Sequence, residues 1–140
     1  MREILFRGKR IDTGEWVEGD LARRKSRFAP QLNTIYGIAN EYGEFCTVGP
    51  ATVGQHTGLS DKNGKRIFEG DIVALTFGSE TIQCVCKWVE RNHKSGFFFE
   101  NMAIEDDVAP LYMVKCGKVV GNIYDRQNKQ EGLAYERDTF

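Results

Sequence analysis

No apolar run in the chain approaches the roughly 20 residues that a membrane helix needs, so the sequence asks for no membrane partner. Neither charge sign dominates. The 19 Lys and Arg face 20 Asp and Glu for a formal net charge of −1, which removes any global attraction to nucleic acid or to an anionic membrane. A nucleic-acid role would therefore have to come from a local patch. Histidine is scarce, with two residues in the chain, and this leaves little material for a general base. Sustained helical periodicity is missing as well, which argues against a helical bundle. The opening Met1-Arg2-Glu3-Ile4-Leu5-Phe6-Arg7 lacks the long apolar core of a secretory signal. On that ground the protein is expected in the cytoplasm, with Cys46, Cys84, Cys86 and Cys116 held reduced.

What is present is the punctuation of a β-protein. Hydrophobic residues make up 41% and charged residues 28%, enough apolar surface for a core and too much for general disorder. Fifteen glycines, often beside Asp, Asn or Ser, divide runs rich in Val, Ile, Thr, Phe and Tyr. Glycine takes positive φ at little steric cost, and Asn or Asp less readily, so such breaks mark turns between strands. The pattern predicts strands from about Glu3 to Lys9 and from Trp16 to about Ala22, then a polar loop over Arg23 to Arg27. Residues 34–38 and 45–48 read as a hairpin, as do 72–77 and 81–89. A tight turn is expected at Asp61-Lys62-Asn63-Gly64, a polar loop at 91–96, and a closing strand over Lys118 to Tyr124.

Short strands at this spacing favour an all-β, mainly β fold, a small barrel or sandwich over an open sheet, because closure removes vulnerable edges, and the Gly70-Asp71 step feeding an apolar strand resembles the entry to an SH3-like barrel. The expected organisation is one β-rich domain over 1–125, with a subregion 1–50 packed on a barrel formed by 51–125 and a polar, flexible tail over 126–140. Gly8-Lys9-Arg10-Ile11 with Glu18-Gly19-Asp20 echoes Gly64-Lys65-Arg66-Ile67 with Glu69-Gly70-Asp71. The spacers differ in length, so repeated use of the same turn residues explains the echo better than a true repeat.

The run His56-Thr57-Gly58-Leu59-Ser60-Asp61-Lys62-Asn63-Gly64-Lys65-Arg66-Ile67-Phe68-Glu69-Gly70-Asp71-Ile72-Val73 resembles the central signature of the YopX-type proteins of phages and prophages. Arg2 to Gly8 is similar to that family's opening strand, and Gly117 to Tyr124, with Gly121 and Asn122, to its closing one. The resemblance implies a β-rich fold with an SH3-like barrel and a phage or prophage setting. It brings no established activity, and no catalytic or ligand residues. Residues 23–50 follow the pattern less well.

Several constellations approach known chemistry and fail on physical grounds. Gly58 to Lys65 has five residues between its glycines and Arg66 where a phosphate loop needs Ser or Thr. Asp61-Lys62-Asn63-Gly64 begins like a calcium loop but places Lys65 and Ile72 at ligand positions. Cys84 and Cys86 face one side of a strand and would need Cys46, Cys116 or His93 to complete a zinc site. Core packing is the simpler reading of two such cysteines. His56 near Asp61 lacks a nucleophile partner. Glu69 and Asp71 flank Gly70 at a strand entry, where carboxylates commonly cap backbone amides. No catalytic, cofactor or metal site is assigned, and an enzyme would require a pocket gathering His56, Asp61 and Asp71. Arg23, Arg24, Lys25, Arg27 and Phe28 form the best nucleic-acid candidate, since clustered cations hold phosphates while a ring stacks on a base. The leading expectation is a non-enzymatic module that binds a host or phage protein, with homo-oligomerisation open. A nucleic-acid-binding regulator using residues 23–28 is the alternative.

Overall fold

The structure is a computed structural model that describes residues 3–31, 33–91 and 94–125. His93 and the tail over 126–140 lie outside the described residues. Strand accounts for 56% and helix for 8%, so the protein is mainly β, and its strands form two antiparallel sheets. The strands are β1 (Phe6–Lys9), β2 (Trp16–Lys25), β3 (Thr34–Ala39), β4 (Phe45–Thr47), β5 (Gly54–Ser60), β6 (Arg66–Phe68), β7 (Asp71–Phe77), β8 (Glu80–Arg91), β9 (Lys94–Asn101) and β10 (Lys118–Asn122). Their order is β4-β3-β2-β1-β5-β6 in the six-stranded sheet and β10-β7-β8-β9 in the four-stranded one. The described strands close no barrel. The barrel expected over 51–125 is therefore not closed, and in the N-terminal region an isolated bridge joins Arg10 to Val48. Beside it run bonds from Ile11 N–H to the Thr47 carbonyl (3.2 Å) and from Gly49 N–H to the Lys9 carbonyl (3.0 Å).

The chain divides into two compact units, residues 1–58 and 59–140, with the division inside β5. In the first unit the ladders are antiparallel throughout, with Phe6 opposite Gly19 and Arg24 opposite Ile35. Ile38, Cys46 and Val48 are buried as its apolar centre. The expected loop over Arg23 to Arg27 is shorter than read: β2 continues to Lys25, because Arg23, Arg24 and Lys25 pair with Tyr36, Ile35 and Thr34. Cross-strand pairing overrides the polar composition here, as it does where a long side chain packs along the sheet. Arg24 stacks 3.9 Å from the centroid of the Phe45 ring. That ring occupies the space a side chain at Gly37 would need, within 2.2 Å of where a Cβ would lie. A 3-10 turn over Pro50–Thr52 precedes β5. There Thr52 donates its hydroxyl to the Gly49 carbonyl (2.6 Å) while its oxygen accepts the Lys9 N–H (2.9 Å).

The second unit holds the larger core. Ile67, Val73, Leu75, Cys84, Cys86, Phe99, Val114 and Val119 pack together, with Ile82, Phe97 and Met113 against them. Alternation along β7, β8 and β9 puts Val73, Leu75, Cys84, Cys86 and Phe99 on one sheet face, and each fully buried aliphatic or Phe side chain there contributes about 1.5–3 kcal/mol. The loop expected over 91–96 is also mostly strand, since β8 extends to Arg91 and β9 begins at Lys94. A one-turn helix, α1 (Leu111–Val114), starts after Pro110 and drops Val114 into the core. Nothing in the periodicity pointed to it, because four residues carry too short a pattern.

Cys46, Cys84 and Cys86 are buried and Cys116 is exposed, all as free thiols. Burial, with a smaller push from Asp107, raises the Cys84 pKa above the ordinary thiol range. Only a thiolate reacts readily, so a thiol reagent added to native protein is expected to label Cys116 rapidly. Cys46, Cys84 and Cys86 should label only as the fold opens in denaturant. Rapid labelling of Cys84 or Cys86 in the native protein would contradict this packing.

Candidate functional site

The residues singled out from the sequence fall into two groups, one in each unit. His56, Thr57 and Gly58 belong to the first, within β5. His56 is buried, its N–H donates to the Leu5 carbonyl (2.8 Å), and its Nδ1 lies 3.8 Å from Glu3 Oε1. Thr57 is half-buried, and Gly58 takes a φ of 87°. The other signature residues belong to the second unit, where the side chains of Asp61, Asp71 and Asn122 accept backbone N–H groups.

Asp61 is the centre of that arrangement. Its side chain is 6% exposed, and its Oδ1 accepts the N–H groups of Asn63 and Lys65, both at 2.9 Å. Its Oδ2 accepts the Val119 N–H at 2.9 Å, from a residue 58 positions later. The turn is completed by Asp61 N–H to the Lys65 carbonyl (2.8 Å), Gly64 N–H to the Asp61 carbonyl (3.0 Å) and Lys62 N–H to the Gly117 carbonyl (3.0 Å). Gly64 supplies the φ of 80° that this turn requires. Burial alone would push the Asp61 carboxyl up. The Val119, Lys65 and Asn63 amides, with a weaker pull from the Lys65 charge, outweigh it and hold the pKa below the ordinary carboxylate value.

The Glu69-Gly70-Asp71 step is a second such device. Asp71, 1% exposed, accepts the Phe68 N–H on Oδ2 at 2.8 Å. Gly70 takes a φ of 91°, and a Cβ there would meet Cε2 of the Tyr124 ring at 2.7 Å. Its N–H donates to the Cys86 carbonyl (2.8 Å), and its carbonyl accepts the Ile123 N–H (3.0 Å). Glu69 is half-buried beside it. Asn122 stands opposite Asp71 across the β10–β7 ladder, which is irregular between Val119 and Gly121. Its amide donates to Asp125 Oδ2 (3.0 Å) and its Oδ1 accepts the Asp125 N–H (2.9 Å). Asp61 and Asp71 thus serve as acceptors for backbone amides. Among the described residues no three His, Cys, Asp or Glu side chains gather in a way that could hold a metal ion.

Among the described residues of the second unit, two concavities bear on chemistry. A cavity of about 150 Å³ sits between the 107–113 segment and the sheet, lined by Leu75, Ile82, Cys84, Asn101, Asp107 and Met113 among others. Its polar groups bind one another, Asn101 Nδ2 donating to Asp107 Oδ2 (3.0 Å), and its thiol is a poor nucleophile. A groove of about 120 Å³ runs over the other face, lined by Lys87, Val89, Phe98, Glu100 and Val108. A Lys87–Glu100 ion pair of 2.8 Å borders it.

In the first unit, Arg23, Arg24, Lys25, Arg27 and Phe28 are all exposed, Phe28 at 99%. Strand alternation sends Arg23 and Lys25 to one face and Arg24 to the other, where Phe45 already engages it. Ser26 Oγ accepts the Phe28 and Ala29 N–H groups (3.2 and 3.3 Å) and shapes the turn that projects Phe28. Of the run 97–99, Phe99 is core and Phe97 packs edge-on against Trp88 with centroids 5.0 Å apart. Sequence reading missed the exposed apolar connection between β9 and β10. Met102, Ile104, Val108, Leu111 and Tyr112 are 41%, 58%, 41%, 50% and 73% exposed there. Their irregular spacing has no period that would have marked them.

Removing the Asp61 carboxylate leaves three amides without their acceptor. Hydrogen bonds to a charged group each contribute about 1.5–3 kcal/mol, so Asp61→Ala is expected to cost about 3 kcal/mol or more, read as a lower urea midpoint. A carboxylate with a depressed folded pKa stabilises fully above its unfolded value, about 3.9, and loses that contribution as pH falls through the folded value. The difference between wild type and Asp61→Asn should therefore be constant near neutrality and shrink below about pH 4. A difference that does not depend on pH would contradict the assignment.

The chain is similar to protein EF1440 from Enterococcus faecalis, known from a crystal structure, with 21% identity, 88% of this chain and 94% of that one covered, and a TM-score of 0.48. No curated protein matches it. The family model described as YopX protein matches residues 5–129, a span that contains the signature turns anchored by Asp61 and Asp71. The chain belongs to the YopX protein family.

Proposed function

We propose that this protein is a non-enzymatic interaction module, encoded by a phage or prophage, that binds a protein of the host or the phage. The observation that carries the reading is the apolar connection between β9 and β10, where Met102, Ile104, Val108, Leu111 and Tyr112 stand exposed. A segment that leaves several large apolar side chains in water is a favourable contact surface, and aromatic anchors such as Tyr112 dominate such contacts. The use of Asp61 and Asp71 as backbone acceptors supports a scaffold over a catalyst. Free thiols fit a reducing host cytoplasm, and a homo-oligomer is compatible with the same surface.

A second reading is favoured by one feature, the fully exposed Phe28 amid Arg23, Arg24, Lys25 and Arg27. A ring exposed to stack beside Arg23, Lys25 and Arg27, which are exposed to meet phosphates, suits single-stranded nucleic acid.

One experiment separates the two. The chain is used to capture partners from the lysate of an infected host, at low and high salt, with and without nuclease. A protein retained at high salt after nuclease, and lost when Leu111 and Tyr112 are both changed to Ser, is the expected result. Capture that vanishes with nuclease, falls steeply with salt, and is abolished by Arg23→Ala, Arg24→Ala and Arg27→Ala together would overturn the protein-binding reading in favour of nucleic acid.

A further inference from the structure

The edge of β9 has two halves with different occupancy. Along the second half, Asn101 N–H donates to the Asp107 carbonyl and Ala109 N–H donates to the Phe99 carbonyl, both at 2.8 Å. An antiparallel bridge joins Glu100 to Val108 between them. Residues 107–109 thus act as a short added strand, until Pro110 turns the chain away into α1. Outward-pointing groups alternate along an antiparallel strand. Since Phe99 and Asn101 face outward, Phe97 and Ser95 do too, while Phe98 and Gly96 bond inward to Lys87 and Val89 of β8. Among the described residues no group meets Ser95 or Phe97 on that side. The β10 edge of this sheet is covered near its start, since the Asp61 carboxylate takes the Val119 N–H and Lys62 N–H donates to the carbonyl of Gly117, just before β10.

We infer that the open edge at Ser95 and Phe97 accepts an extended segment of a partner protein as an added antiparallel strand, continuing the line that Asp107 to Ala109 begins. The inference rests on the protein-binding reading above and names the form its partner takes. A row of unpaired N–H and C=O groups recognises extended backbone. The register follows from the existing strand: the incoming residue opposite Phe98 points to the same face as Val108. That face holds the groove of about 120 Å³ lined by Val89, Phe98 and Val108, with Lys87 and Glu100 at its border. The partner segment therefore carries an aliphatic side chain at that position. Gly96 keeps the edge approachable, with open space where a Cβ would lie.

The probe is an acetylated and amidated peptide of alternating threonine and valine, with a lysine at each end, added at millimolar concentration to the full chain. Its main-chain amides supply the hydrogen bonds, and its valines fill the groove. The Ser95 and Phe97 amide resonances are expected to shift, and their hydrogen exchange to slow about tenfold when peptide exceeds its Kd about tenfold. A peptide N-methylated at alternate residues should lose the effect, as should the variant Ser95→Pro. That proline removes an outward N–H and leaves the ladder to β8 intact. No shift at these amides, or equal shifts with the N-methylated peptide, overturns the inference. In the lysate experiment, a protein captured equally by wild type and Ser95→Pro sinks the edge site and leaves the protein-binding reading standing. If wild type captures no protein, that reading fails, and the peptide result still decides the edge.

Discussion

The second unit depends on one buried carboxylate. Asp61 closes its own turn through the Asn63 and Lys65 amides and reaches Val119 on β10. Three donors around one charged group offset the cost of burying it, and the depressed pKa is the thermodynamic mark of that arrangement. The contact also covers an edge strand that would otherwise present a bare hydrogen-bonding row. Through it the family signature in the middle of the chain is tied to the closing strand. The resemblance in both blocks has a shared physical cause.

Asp71 repeats the logic on a smaller scale. A carboxylate at a strand entry accepts the amide three residues earlier, and Gly70 provides the positive φ and the space under the Tyr124 ring. The signature so disposed leaves the outer surfaces free to vary. On the proposed reading, the surfaces that meet partners are the β9–β10 connection, the open half of β9, and the basic end of β2 with Phe28. Function in this family member is best sought at the edges of a scaffold whose centre is structural.

Much of this was legible in advance where local chemistry decides. Asn63-Gly64 and Gly70-Asp71 announce turns because few residues adopt their backbone geometry, and the runs at 72–77 and 81–89 alternate clearly enough to read as strands. Cys84 and Cys86, two apart on a strand, read as core residues for the same reason. Features set by distant partners were not legible. Arg23 to Lys25 look like a loop until Tyr36, Ile35 and Thr34 are seen opposite them. Whether short strands close into a barrel or lie in open sheets depends on pairing between residues far apart in the chain, and the described strands close none. The helix α1 is too short to carry a period. That Asp61 reaches Val119 follows from no local pattern at all.

Native-state hydrogen exchange tests the central claim, that the signature is structural and the outer segments are the working surface. The amides of Asn63, Lys65, Phe68 and Val119 should exchange only through global unfolding, as the bonds to Asp61 and Asp71 require. Those of Ser95, Phe97 and Ile104 should exchange by local routes, many times faster. Rapid local exchange across Asn63, Lys65 and Phe68, with protection at Ser95 and Phe97 in the isolated chain, would contradict the account.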